Sequence, residues 1–241
     1  MSPLAMLRRL SRYPVMLAVL GLTLWAGRWG LAGLYAVPAD RILEAWQADE
    51  KPLPPGDRSL ETALEYLLRA ISLDPGNAAH HYRMARLYHL RAADAPPGSE
   101  EIEKWRTMAE ESYHRVVYLR PSWGHGWINL AQVQVQGGRI SPETVQALLR
   151  GWRLAPGSLY VRKSFIRLGF ALWQNLNGLE REEVLQEVER LLADHGEFVL
   201  KQADLYGRLR EIRALSMPYP DLRKELDKLM LQRVVQDGDA G

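Results

Sequence analysis

The side chains in this 241-residue sequence with the chemistry for catalysis or metal binding are its histidines and carboxylates; there is no cysteine. The six histidines are His80, His81, His89, His114, His125 and His195. A metal site needs its ligands brought together, on a helix usually at i, i+3 or i, i+4. His81 and His89 are about two helical turns apart, too far to share one ion. The histidines therefore read as surface or packing residues. The carboxylate-rich run REEVLQEVE (181–189) looks like a catalytic pair only superficially, because at helical spacing it is a solvated face. No G-x-S-x-G, P-loop or H-E-x-x-H is present. Without cysteine, disulfides and thiolate metal sites are excluded. This reading expects no catalytic residue, no metal and no cofactor, and hence binding rather than turnover. Trp123 and Trp127 lie one turn apart, with Trp105, Trp152 and Trp173 also in the helical domain. Such rings can stack on sugars, but packing between helices accounts for them.

The elements that would carry these residues are set by a repeat. Three stretches end alike: ALEYLLRAISLDP (63–75), AEESYHRVVYLRP (109–121) and TVQALLRGWRLAP (144–156). A small or compact residue opens each, a bulky one follows four positions on, and proline closes it. Two helices of a hairpin approach closely only where one offers a small side chain. Proline stops the helix because it lacks an N–H and clashes with the preceding turn. Ala63, Leu67, Ala70 and Pro75 fit the second helix of a tetratricopeptide (TPR) unit. First helices follow the prolines. In NAAHHYRMARLY, from Asn77, Met84, Ala85 and Tyr88 fall at the L-G-x2-Y spacing, with His81 where Trp is usual. In GHGWINLAQVQVQGG, from Gly124, Trp127, Leu130 and Ala131 match W-x2-L-G, and Gln134 replaces the tyrosine. An insertion, AADAPPGSEEIEKW (92–105), lengthens the first spacing and is tolerated as a loop plus extra helical turns.

Residues 14–37 carry one charge, Arg28, and are long enough to span a bilayer, which needs about 20 apolar residues. Arg8, Arg9 and Arg12 precede them, and no acidic residue occurs before Asp40. The positive-inside rule keeps 1–13 cytoplasmic and sends the rest across, to the periplasm of a bacterial inner membrane. A cleaved signal peptide is the competing reading. Against it, the apolar stretch runs on past Arg28 and the only A-x-A-like junction, ending at Ala39, lies too far downstream. Arg28 either snorkels to the outer headgroups or pairs within a membrane complex. Ala26, Gly27, Gly30 and Gly33 offer a weak helix-contact face.

The arginines before residue 38 account for the formal charge of +2, and the remainder is near neutral, with no basic stripe for nucleic acid. The expected fold class is all-α: one N-terminal transmembrane helix followed by a TPR-like α-solenoid. Its divisions are a cytoplasmic segment (1–13), the anchor (14–37), a juxtamembrane helix and linker (38–57), the repeat domain (58–215) and a C-terminal tail (216–241). Helices are expected over 58–73, 77–93, 100–119, 124–136, 142–154, 158–173, 181–196, 197–215 and 220–236. A stack of such units presents a concave binding surface rather than a catalytic pocket. On its first helices, Arg83, Arg86, Asn129 and Gln132 are the candidate partner-binding residues.

The runs LRPSWGHGWINLAQV (119–133) and SLYVRKSFIRLGFALWQNL (158–176) resemble the VpsP-like family of bacterial exopolysaccharide-biosynthesis proteins. The order of one N-terminal span, an A-LDP helix, an RPSW turn and an ALW-ending helix is similar too. The resemblance implies a membrane-anchored accessory protein of polysaccharide assembly or export, whose partners are proteins of that machine. It carries over no catalytic residues.

Overall fold

The computed structural model describes residues 12–49, 58–96 and 98–239. The expected linker at 51–57 lies outside these residues, as do Arg8 and Arg9. The described residues form helices α1 (Arg12–Asp49), α2 (Ser59–Leu73), α3 (Ala78–Asp94), α4 (Glu100–Leu119), α5 (Gly124–Gln136), α6 (Pro142–Leu154), α7 (Leu159–Ala171), α8 (Gly178–Leu205), α9 (Leu209–Ile212) and α10 (Pro220–Asp239). A short 3-10 turn, Trp173–Asn175, follows α7. There is no strand among them.

The chain divides into two compact units, Met1–Leu119 and Arg120–Gly241. In the first, α1 pairs with α2 and α3 with α4. In the second, α5 pairs with α6 and α7 with α8. The positions expected at the hairpin crossings are buried in each case. Ala63, Leu67 and Ala70 on α2, Ala109, Tyr113 and Val116 on α4, and Thr144, Leu148 and Gly151 on α6 are all covered. So are Met84, Ala85 and Tyr88 on α3, and Leu130, Ala131 and Gln134 on α5. Side-chain size sets how close two helices come. At α5 and α6 both partners are glycine: a Cβ on Gly124 would stand 2.5 Å from the Gly151 carbonyl oxygen, and one on Gly151 would stand 2.8 Å from the Ile128 nitrogen.

The turns into α3 and α5 share one device. Trp127 donates its indole N–H to the Pro121 carbonyl at 2.8 Å, and His81 Nε2 lies 3.1 Å from the Pro75 carbonyl. Each donor stands six residues after the proline that closes the preceding helix. A carbonyl only accepts, so His81 carries its proton on Nε2. Helix starts are capped locally: Asn77 accepts from Ala79 N–H, and Asn177 and Glu180 form a reciprocal capping box.

Three features depart from expectation. First, α1 does not end at the anchor. It continues through Pro38, and Ala32, Ala36, Ala39 and Leu43 are buried within the first unit. Its C-terminal half is thus the first helix of the hairpin completed by α2. The close approach uses these alanines. Gly27, Gly30 and Gly33 face open space, where an added Cβ would meet nothing within 4 Å. Second, Arg28 donates to the Leu73 carbonyl at 3.0 Å, a partner on α2 of the same chain. Third, the helix expected over 197–215 stops at Leu205, because Gly207 takes a left-handed φ of 67°. The break before it is a kink at His195 within α8. There the absent side chain of Gly196 admits Leu222 of α10, 2.2 Å from where a Cβ would be.

Candidate binding surface

Helices α3, α5 and α7 are covered along most of their surface. On α3 a line of half-buried residues at three- and four-residue spacing runs along one side: Ala79, Tyr82, Arg83, Arg86 and His89. The second helices α2, α4 and α6 instead expose broad outer faces. The narrow stripes on the first helices therefore consist of residues held in place by packing on either side.

In the first unit the stripe is organised by α1. Arg83 makes a two-point ion pair with Asp40, Nε to Oδ1 at 2.6 Å and Nη2 to Oδ2 at 3.1 Å. The Arg86 guanidinium lies between the rings of Trp46 and Tyr82, 5.9 and 6.0 Å from their centroids. Both arginines expected to meet a partner are thus already engaged within the unit. A charge reversal at Arg83 would break the α1–α3 contact as well as alter the surface. Beneath them His80 is buried, with Nδ1 unpaired among the described residues. Burial pushes its imidazole below the usual range, and the Arg83 charge adds to the effect, against Asp74 and Asp40.

In the second unit the stripe is built between α5 and α7. Tyr160 donates its hydroxyl to Asn129 Oδ1, and Arg167 Nη2 donates to Gln132 Oε1 at 2.7 Å. The His125 ring stacks on Tyr160, nearly parallel at 5.8 Å, and its Nε2 is 3.1 Å from the Ser158 hydroxyl. Burial lowers the His125 pKa. Asn129 is 6% exposed, so it positions Tyr160 from below and does not itself project. Tyr160, at 46%, is the open aromatic. Lys163 extends over the Phe198 ring at 5.3 Å. Lys163 and Arg167 make this stripe basic. The pattern of core positions gave no hint of Tyr160, Lys163 or Arg167, which lie on a helix where the repeat match has faded.

Two further residues depart from their expected places. Trp127 is half-buried, not a core residue, and Arg150 lies over its ring at 4.4 Å. The carboxylate run 181–189 is not wholly solvated: Glu187 is 2% exposed and pairs with Arg162, and with Arg190 at 3.3 Å. Among the described residues no three His, Asp or Glu side chains are grouped to hold a metal ion.

No protein-family model matches this chain, and no curated protein does. Among solved structures it is similar to YrrB, described as a TPR protein with an unusual peptide-binding site. The two share 17% identity over 81% of this chain and 98% of that one, with a TM-score of 0.50. It is similar also to a monomeric mutant of IFIT1 solved with Gppp-AAAA, at 15% identity over 70% of this chain and 44% of that one, with a TM-score of 0.39. The first likeness places the fold among TPR-type helical repeats. The N-terminal part of α1 is, in addition, long and apolar enough to cross a membrane.

Proposed function

We propose that this chain is a membrane-anchored scaffold that captures a segment of a partner protein on the stripes of its first helices. The observation that carries this reading is the α5–α7 stripe: Tyr160 is exposed and Lys163 and Arg167 are half-buried, and all three are held from below or beside by Asn129, Gln132 and Phe198. Such preorganisation lowers the ordering cost that a partner must otherwise offset. The anchor then raises the local concentration of the captured segment at the membrane. The resemblance of 119–133 and 158–176 to VpsP-like proteins supports polysaccharide assembly or export as the process served, with the domain on the periplasmic side. Another envelope machine, such as cytochrome maturation, secretion or cell-wall synthesis, is the alternative setting. Genes for glycosyltransferases and a polymerase beside this one would favour the first, and haem-lyase genes the second.

A glycan contact is the second reading, and it is favoured by one observation. Tyr160 presents an exposed aromatic ring beside the polar side chain of Asn129. A sugar would have to use the ring face opposite His125.

Photo-crosslinking separates the two. A photoreactive residue at Gln132 or Lys163 should trap a discrete protein partner in intact membranes, whereas one at the exposed Gln146 on α6 should not. Equal trapping at all three sites would remove the stripe as the binding face. Trapped carbohydrate in place of protein would favour the second reading.

A further inference from the structure

The most informative feature outside this surface is where α1 and α2 overlap. We propose that the C-terminal end of α2, from Tyr66 to Leu73, with the turn at 74–76, sits in the headgroup layer of the bilayer that α1 crosses. This inference rests on reading α1 as a membrane span.

The argument is one of length and register. The exposed apolar face of α1 runs from Val15 through Leu31 and Leu34 to Val37. At the helical rise this is about 33 Å, close to the hydrocarbon thickness of about 30 Å. Yet α2 already lies beside the end of this stretch. The Tyr66 ring stacks on Tyr35 at 5.7 Å, and Leu73, seven residues on, accepts from Arg28, seven residues back. The two helices are thus antiparallel and in register from 28 to 35. If the headgroups as well lay short of Leu73, residues 14–27 of α1, about 20 Å, would have to serve hydrocarbon and headgroups together, whereas with the end of α2 among the headgroups that length serves a locally thinned hydrocarbon core alone. The bilayer surface must therefore rise alongside the last two turns of α2.

The side chains there suit that depth. Leu68 is 58% exposed, an apolar residue on the outer face of a soluble-looking helix. Ile71 and Leu73 are half-buried. The Arg69 guanidinium lies over the rings of Tyr66 and Tyr35, at 5.6 and 6.0 Å. Trp25 and Trp29 pack together at 3.9 Å on the same part of α1. Tyrosine, tryptophan and arginine are the residues that tolerate an interface, with a ring or stem in the apolar layer and a polar end in the headgroups. Arg28 gives up hydrogen bonds to water on entering this layer, and the Leu73 carbonyl at the α2 C-terminus replaces one of them. Arg28 and Arg69 face the lipid phosphates. The opposing charges nearby are Glu65, one turn back from Arg69, and Asp74, which accepts from the Asn77 amide at 2.9 Å. The first unit is then held flush on the membrane by one unbroken helix, not tethered at a distance.

The absence of native cysteine allows single-cysteine labelling of the full chain. Leu17→Cys, Leu68→Cys, Ser72→Cys and, on α4, Thr107→Cys would each carry an environment-sensitive fluorophore in phosphatidylcholine–phosphatidylglycerol vesicles. Lipids brominated deep in the chain should quench position 17. Lipids brominated near the headgroup should quench positions 68 and 72, with a blue shift in emission, and leave position 107 unchanged. Positions 68 and 72 behaving like 107, while 17 is quenched, would overturn the proposal and leave the span intact. No quenching at 17 would overturn both. A blue shift at 68 that persists in detergent without lipid would indicate protein cover by a second copy, and would also overturn it.

Discussion

The indole N–H of Trp127 donates to the Pro121 carbonyl, 2.8 Å away, and pins the turn that opens α5. His81 makes the equivalent contact with Pro75 before α3. The position is thus a turn lock more than a core site, since both side chains are only half-buried. Trp127→Phe keeps most of the packing and loses the hydrogen bond, a cost of about 1 kcal/mol. Trp127→His should retain more stability than Trp127→Phe. Thermal denaturation of the three proteins checks this, and equal melting temperatures for wild type and Trp127→Phe would remove the lock.

The hairpin crossings make a second prediction. Ala109 is fully buried, and a Cβ on Gly151 would meet the Ile128 backbone. Gly151→Ala should cost about 1–3 kcal/mol by overpacking. Ala109→Arg should cost more, because a charge is buried without a partner. Chemical denaturation with unchanged midpoints for both would contradict the close packing assigned to these helices.

A third concerns pH. Burial lowers the pKa of His80, His81 and His125 in the folded chain. The unfolded chain therefore takes up protons first as pH falls below about 6.5, and stability declines from there toward the folded-state values. Above that window the three are neutral in both states and contribute no slope. The melting temperature should fall between neutral and mildly acid pH, and less so in His80→Gln. A flat profile across that range would contradict the buried, neutral assignment.

A fourth concerns topology, which rests on the arginines before residue 14. Reporter fusions placed after Asp57 should be active only for a reporter that needs the periplasm. Activity of a cytoplasmic reporter there would reverse the orientation. Release of the domain as a soluble species would indicate cleavage.

Helix α4 spans 100–119, α5 124–136 and α6 142–154, the same bounds that the proline and glycine punctuation predicts. That punctuation acts locally, so it is legible locally. The role of α1 was not, because the apolar signal of a span masks the four alanine and leucine positions by which its second half packs into the repeat. Glu187 reads as solvated from spacing alone because its cover comes from Arg162, 25 residues away on another helix. The stripe residues show the same limit. Spacing places Arg83 and Gln132 on first helices, but Asp40 and Arg167, which hold them, belong to neighbouring helices that spacing on one helix does not reveal.

The central claim is that the chain works by capturing a partner on the α5–α7 stripe. Its most direct test is copurification from membranes with a Lys163→Glu/Arg167→Glu variant, whose side chains lie on the open side of α7 and not in the hairpin core. The account predicts that the wild type retains its partner while the variant, equally stable by thermal denaturation, loses it together with polymer output. Undiminished recovery of the partner with the variant would contradict the account. So would a single Asp, Glu or His substitution that leaves partner capture intact but abolishes the product, since that is the behaviour of an enzyme.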